Sequence, residues 1–200
     1  MRRRTFDSLM SGAGLLLVVV LAVAGGLLTW GHAYIGNQVH NQLATQQIYF
    51  PTTTNAEFKA LPATDKAAMG AYAGQQMLTG SQAETCADHF IAYHLSKMSY
   101  NGVYSKVSTA ALAAPAGSAQ QKSLQALEST VFQGTTLRGL LLEAYAFGTM
   151  GSIAGWAAIS SFIAAALMLV LSGLGLYHAR RTAPTDEVID FRPDHRTVDA

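Results

Sequence analysis

The sequence predicts an all-α membrane protein in which two transmembrane helices flank an extracytoplasmic helical bundle domain. Three observations predict it. Charged residues make up 12% of the 200 residues and half of the chain is apolar, whereas a soluble domain carries about a quarter charged residues. Two uncharged runs are long enough to cross a bilayer. Between them, apolar residues recur at helical spacing, and the alternation of a strand is scarce.

The first run, Leu9–Trp30, reads LMSGAGLLLVVVLAVAGGLLTW, 22 residues without a charge. As a helix it covers roughly 30 Å, one hydrocarbon core. The second, Tyr145–Tyr177, holds 33 uncharged residues, about 50 Å of helix and more than a bilayer needs. Trp156 and Tyr177 lie 21 residues apart, and both residue types favour the membrane interface. They place the second span at 156–177, with Trp30 as the matching anchor of the first. Tyr145–Gly155 becomes a helical extension outside the lipid. Arg2, Arg3 and Arg4 precede the first span, and Arg180 and Arg181 follow the second. The positive-inside rule therefore predicts that both termini are cytoplasmic. The intervening region carries six basic and six acidic side chains and adds no competing bias. The division is a cytoplasmic N-terminus 1–8, spans 9–30 and 156–177, an extracytoplasmic domain 31–155, and a polar, disordered cytoplasmic tail 178–200.

A second reading of the opening stands beside the anchor. Arg3-Arg4-Thr5-Phe6 fits the twin-arginine pattern, and Ala22-Val23-Ala24 fits a small-x-small cleavage site. The anchor is favoured because Asp7 interrupts the stretch where such a signal continues apolar, and because the apolar run extends past Ala24 to Trp30.

Within the exported region, Ile35, Val39 and Leu43 continue the first helix at i, i+4 until Pro51 turns the chain extended. Thr52–Asn55 reads as a loop, and a short helix follows over about Thr64–Leu78. The clearest helix is Ser81–Met98. Ser81 and Glu84 form a capping-box pattern, and Ala83, Ala87, Phe90, Ile91, His94 and Met98 share a face at 100° per residue. Asn101-Gly102 signals a turn. A helix follows over Tyr104–Ala113, broken by Pro115 and Gly117. Another spans Ser118–Phe132, interrupted at Gly134, and Thr136 caps a last helix leading into the second span.

Few residues carry recognisable chemistry. Cys86 is the only cysteine, which excludes an intrachain disulfide or a multi-cysteine metal site. With His89 at i+3 it could form a thiol and base pair, but no third group is identifiable and a buried thiol is the favoured reading. His94, amid an apolar face, is a candidate pH-responsive group, weighed against a core histidine satisfied by a hydrogen bond. Glu143 in LLLEAYAF is a candidate intramembrane carboxylate. The depth set by Trp156 instead puts it about 20 Å outside the lipid, near Arg138. His89 and His94, five residues apart, cannot share an ion. No nucleotide-binding, hydrolase or zinc-protease motif appears, no basic surface suggests nucleic acid, and no cofactor is predicted. Small residues mark candidate helix-packing faces: Gly151 and Gly155 as GxxxG, Ala157, Ser161 and Ala165 along the second span, and Ala22 with Gly26 on the first.

The runs GGLLTWGHAYIGNQV, AGQQMLTGSQAETCADHFIAYHL and TLRGLLLEAYAFGTMGSIA resemble a family of actinobacterial membrane proteins of unknown function, some labelled aromatic ring-opening dioxygenase. The likeness covers roughly Arg3 to Arg181. It implies two spans around an exported helical domain in a bacterial plasma membrane. It carries over no catalytic residues, and the two-histidine, one-carboxylate iron site of such dioxygenases has no recognisable form here. The expected function is non-catalytic: an accessory subunit or scaffold of the cell envelope that binds a protein partner, or a further copy of itself, through the exported domain. The alternatives are an extracytoplasmic sensor relying on a separate cytoplasmic partner and, behind it, an enzyme using the dioxygenase iron or the Cys86 thiol.

Overall fold

The computed structural model describes residues 3–181, with side chains from Thr5 onward. The opening arginines' side chains and the tail from Thr182 lie outside the described residues, so the readings placed on them do too. Among the described residues the chain is mostly helical and forms no strand. Two helices, α1 (Arg3–Gln46) and α7 (Ala119–Arg181), are long and apolar enough to cross a membrane. Between them come α2 (Ala56–Ala60), α3 (Ala63–Gly70), α4 (Gly80–Cys86), a π turn (Ala87–Ile91), α5 (Ala92–Ser96), a 3₁₀ turn (Ser99–Gly102) and α6 (Tyr104–Ala113).

The chain divides into two compact units. One is drawn from the segments up to Trp30 and from Ala154 on; the other is Gly31–Ile153. In the first, α1 and α7 pair through reciprocal serine–glycine contacts. The Ser172 hydroxyl sits over Gly14 and the Ser11 hydroxyl over Gly175. Each helix contributes its two residues three apart and in opposite order, so the helices run antiparallel. Gly25 faces the Phe162 ring; a Cβ there would lie 2.9 Å from Cζ. Ser11 and Ser172 are buried, while large side chains such as Leu16, Leu27, Ile163 and Leu167 point outward. At the arginine-bearing end, Asp7 Oδ2 lies 4.0 Å from His178 Nε2, and the Arg181 guanidinium stacks 4.5 Å over the Tyr177 ring.

In the second unit, Val39 and Leu43 of α1 and Leu141 of α7 close a core around Phe50, Phe58, Met69 and Met77. Helix α1 ends where Gln47 turns left-handed at φ 51°. Asn55 caps α2, its Oδ1 accepting from Glu57 N–H at 2.8 Å. The helix expected over Thr64–Leu78 is shorter. It stops at Gly70, and the chain turns away at Gly74, where φ is 75°. The chain beyond it runs extended, pairing with the segment after α1 through Phe50 N–H to Gln75 O and Met77 N–H to Ile48 O, both 2.9 Å.

The next helix starts one residue before the sequence suggests, and its capping box sits two residues earlier. The cap is Thr79, whose Oγ1 accepts from Gln82 N–H at 3.2 Å. Gln82 Oε1 in turn accepts from Thr79 N–H at 3.1 Å and Leu78 N–H at 2.7 Å. This is the same reciprocal satisfaction of free donors on a different pair of side chains. Gly80 begins the helix rather than breaking it, because the helix start lies against the α7 backbone: a Cβ on Gly80 would be 3.0 Å from Ala144 O and 3.1 Å from Tyr145 Cα.

The expected break at Gly134 and restart at Thr136 do not occur, since α7 runs through both. A helix-interior glycine costs about 1 kcal/mol relative to alanine, but here Leu95 fills the space over Gly134. A Cβ there would stand 2.9 Å from Leu95 Cδ2. Helix α6 spans the residues expected of it. Before it, Tyr100, Asn101 and Gly102 all have positive φ.

Gly80→Ala should lower stability by about 1–3 kcal/mol, because its Cβ collides with immovable backbone. Thermal unfolding of the detergent-solubilised full chain measures this, and an unchanged midpoint would show that α4 can withdraw from α7 without loss.

Candidate functional site

A groove of about 470 Å³ opens in the central unit. Its floor is the face of α1 that reaches the core, Ile35, Val39 and Leu43, with Leu141 and Ala144 of α7. One wall is the α1 row Tyr34, Gln38, Gln42 and Gln46, each four residues from the next. The other is the α7 ridge Leu140, Glu143 and Phe147. Helical periodicity builds both walls, because residues spaced three and four apart stack on one face. Glu143 is the one charged residue lining the groove. Arg138 forms no ion pair with it. Its Nη2 donates to Asp88 Oδ1 at 2.7 Å, an exposed ion pair of the kind worth at most about 1 kcal/mol.

The other titratable candidates cluster along α4, the π turn and α5. Cys86 is buried, and burial pushes its thiol up to about 11. At neutral pH it is a protonated thiol, the unreactive form. His89 turns its Nδ1 to Asp65 Oδ1 at 2.8 Å, which ties the π turn to α3. His94 Nδ1 donates to Phe90 O at 2.7 Å on its own helix, and its ring packs 4.4 Å from the Phe90 ring. The two histidines are thus held on different partners. Among the described residues, no three His, Cys, Asp or Glu side chains are grouped to hold a metal ion. The Asp65–His89 contact carries no sequence signal, since the two are 24 positions apart.

Of the small residues read as packing faces, Gly151 meets Ile35, where a Cβ would lie 3.1 Å from Cγ2, and Ala165 is buried. Gly155, Ala157 and Ser161 are half-buried, while Ala22 and Gly26 face outward. The first-helix glycine in contact with the other helix is Gly25. Trp30, Trp156 and Tyr177 all stand exposed. A second concavity, on the other side of the α1–α7 pair, is lined by His32, His40, Ser81 and Tyr145. Across it His32 Nδ1 donates to Gly151 O at 2.7 Å.

Comparison with protein-family models, with curated proteins and with solved structures gave no match.

The raised thiol has two measurable consequences. Maleimide should modify Cys86 in the native protein at pH 8 about a hundredfold or more slower than in the unfolded chain. Because the folded thiol resists ionisation, the unfolded chain loses that proton first as pH rises. Stability contributed by this site is therefore full below about 9 and declines toward 11, a loss of about 2–3 kcal/mol. Unfolding free energies measured against pH should show this decline relative to Cys86→Ala. Parallel profiles would place the thiol in contact with solvent.

Proposed function

We propose that this chain is a non-catalytic integral membrane protein of the bacterial cell envelope, an accessory subunit or scaffold whose central helical domain binds a protein partner outside the cytoplasm. The observation that carries the reading is the groove walled by Leu140 and Phe147. It is a concavity with an apolar floor and an exposed apolar ridge, left open beside the core. Exposed contiguous apolar surface of this kind marks interaction sites. The outward Leu, Ile and Val side chains of the first unit support membrane insertion, since they would be costly in water. The arginines at the two helix ends support cytoplasmic termini. The likeness to the actinobacterial two-span family supports the arrangement of two spans around an exported helical domain. The buried, protonated Cys86 speaks against thiol chemistry.

The test is labelling in intact cells in a Cys86→Ala background. A cysteine at Ser129, exposed on α7, should react with a membrane-impermeant maleimide. One at Thr5 should react only after permeabilisation. The reverse pattern would invert the orientation, and release of the protein by alkaline carbonate would remove it from the membrane altogether. Native mass spectrometry from mild detergent should show the chain in a complex of fixed stoichiometry, and a lone monomer would overturn the partner-binding reading.

A further inference from the structure

We infer that the partner on this groove is a second copy of the chain, packed by a two-fold axis along the α1–α7 pair to make a four-helix bundle. The inference rests on the membrane reading above, because copies inserted the same way share an axis along the membrane normal and present equal heights to each other.

Each copy supplies both halves of the contact. The α7 ridge is 56% exposed at Leu140 and 47% at Phe147, with Met150 at 53% beyond it. Leu140 and Phe147 are seven residues apart with Glu143 between them, the spacing of a coiled-coil seam. On α7, Leu141 and Ala144 turn toward α1, and Glu143 lies about 100° around the helix from Ala144. That is the direction a neighbour occupies in a square bundle. In such a bundle the helix facing the α7 ridge is the second copy's α1, antiparallel to it, as in up-down four-helix bundles.

The heights then match polar to polar. Gly151 stands opposite Ile35, so Glu143, eight residues before it, is level with Leu43, eight residues after. The neighbouring outward residue is Gln42, with Gln38 and Gln46 one turn to either side. The Glu143 carboxylate of one copy accepts from glutamine amide N–H groups of the other, a charge-assisted bond. Leu140 and Phe147 meanwhile enter the apolar floor. The two Glu143 side chains face different helices, so they do not oppose each other. A single polar layer within an apolar seam fixes register at some expense in stability, which accounts for a carboxylate on an otherwise apolar ridge.

Mixed cross-linking tests this in full-length Cys86→Ser protein. One tagged population carries Gln38→Cys and the other Phe147→Cys, side chains that stand at nearly the same height on opposing walls. Mild oxidation in native membranes should give the mixed dimer. The pair Asn37→Cys and Thr149→Cys, on the other side of the helix pair, should not. Independently, Leu140→Lys or Phe147→Lys should weaken dimerisation on the order of tenfold or more with helix content unchanged, since both side chains are exposed in the single chain. Cross-linking only through the opposite face, or a dimer indifferent to both lysines, overturns the proposal. A different protein released by Phe147→Lys overturns the second copy but leaves the partner-binding reading standing. Loss of the chain from carbonate-washed membranes would instead overturn that reading itself.

Discussion

Two helices can come into backbone contact only where a side chain is missing, and that allowance organises both units. In the first unit the close approaches are Gly14 under Ser172, Gly175 under Ser11, and Gly25 under Phe162. In the second they are Gly80 against the α7 backbone, Gly134 under Leu95 and Gly151 under Ile35. The reason differs between the lipid and water environments that we propose for the two units. Within lipid no hydrophobic drive brings helices together, so dispersion contact over small residues must hold the pair. In the water-facing unit that we propose, apolar burial does most of the work, and the glycines let short helices reach α7 closely enough for Leu95, Met77 and Ala83 to share its core. Serine suits the first setting because a hydroxyl can satisfy itself on its own helix. Ser160 does so, donating to the carbonyl of Trp156 four residues back.

Helical periodicity made much of this legible in the sequence, and the misses come from departures from that periodicity. Helix α6 was readable because Asn101-Gly102 and Pro115 bracket it with two different chemistries of chain reversal. The face of α1 was readable because Ile35, Val39 and Leu43 repeat at i+4 up to the turn. On α7 a row at i+4 through Ala157, Ser161 and Ala165 drifts about 40° per step around the helix. The buried row is instead Ala158, Ala165, Ser172 and Ala179, at seven-residue spacing, the period that keeps one face toward a partner helix. A spacing rule that stays straight over two turns does not stay straight over four. Gly134 misled for another reason. A glycine's role depends on what occupies the space above it, and Leu95 is 39 positions away in sequence.

The π turn decides where the titratable candidates of this segment end up. Its extra residue rotates everything beyond Ala87 relative to a regular helix. At 100° per residue, His94 belongs to the buried stripe and Leu95 stands beside it. In the structure Leu95 is buried over Gly134, while His94 is half-buried and satisfied by its own helix. Thiol, histidine and carboxylate are close in sequence yet end on separate tasks: Cys86 in the core, His89 latched to Asp65, and Asp88 latched to Arg138. Each polar group near the π turn thus ties one element to another, α3 to the π turn and the π turn to α7.

That distribution also explains which face stays open. Helix α4 starts against the α7 backbone at Ala144, Tyr145 and Gly148, and α5 sets Leu95 over Gly134 of the same helix, because a glycine at each approach leaves the room. The other side presents Leu140, Glu143 and Phe147, side chains too large for the close approach of a capped helix start. What fits there is a ridge of full-sized side chains over a groove, the knobs-into-holes manner in which long helices pack. The same chain therefore carries two kinds of helix surface, one sparse in side chains and satisfied within the fold, the other furnished with them and still unfilled. A long helix is the element whose geometry matches the second, and α1 and α7 are the elements of this chain that offer one.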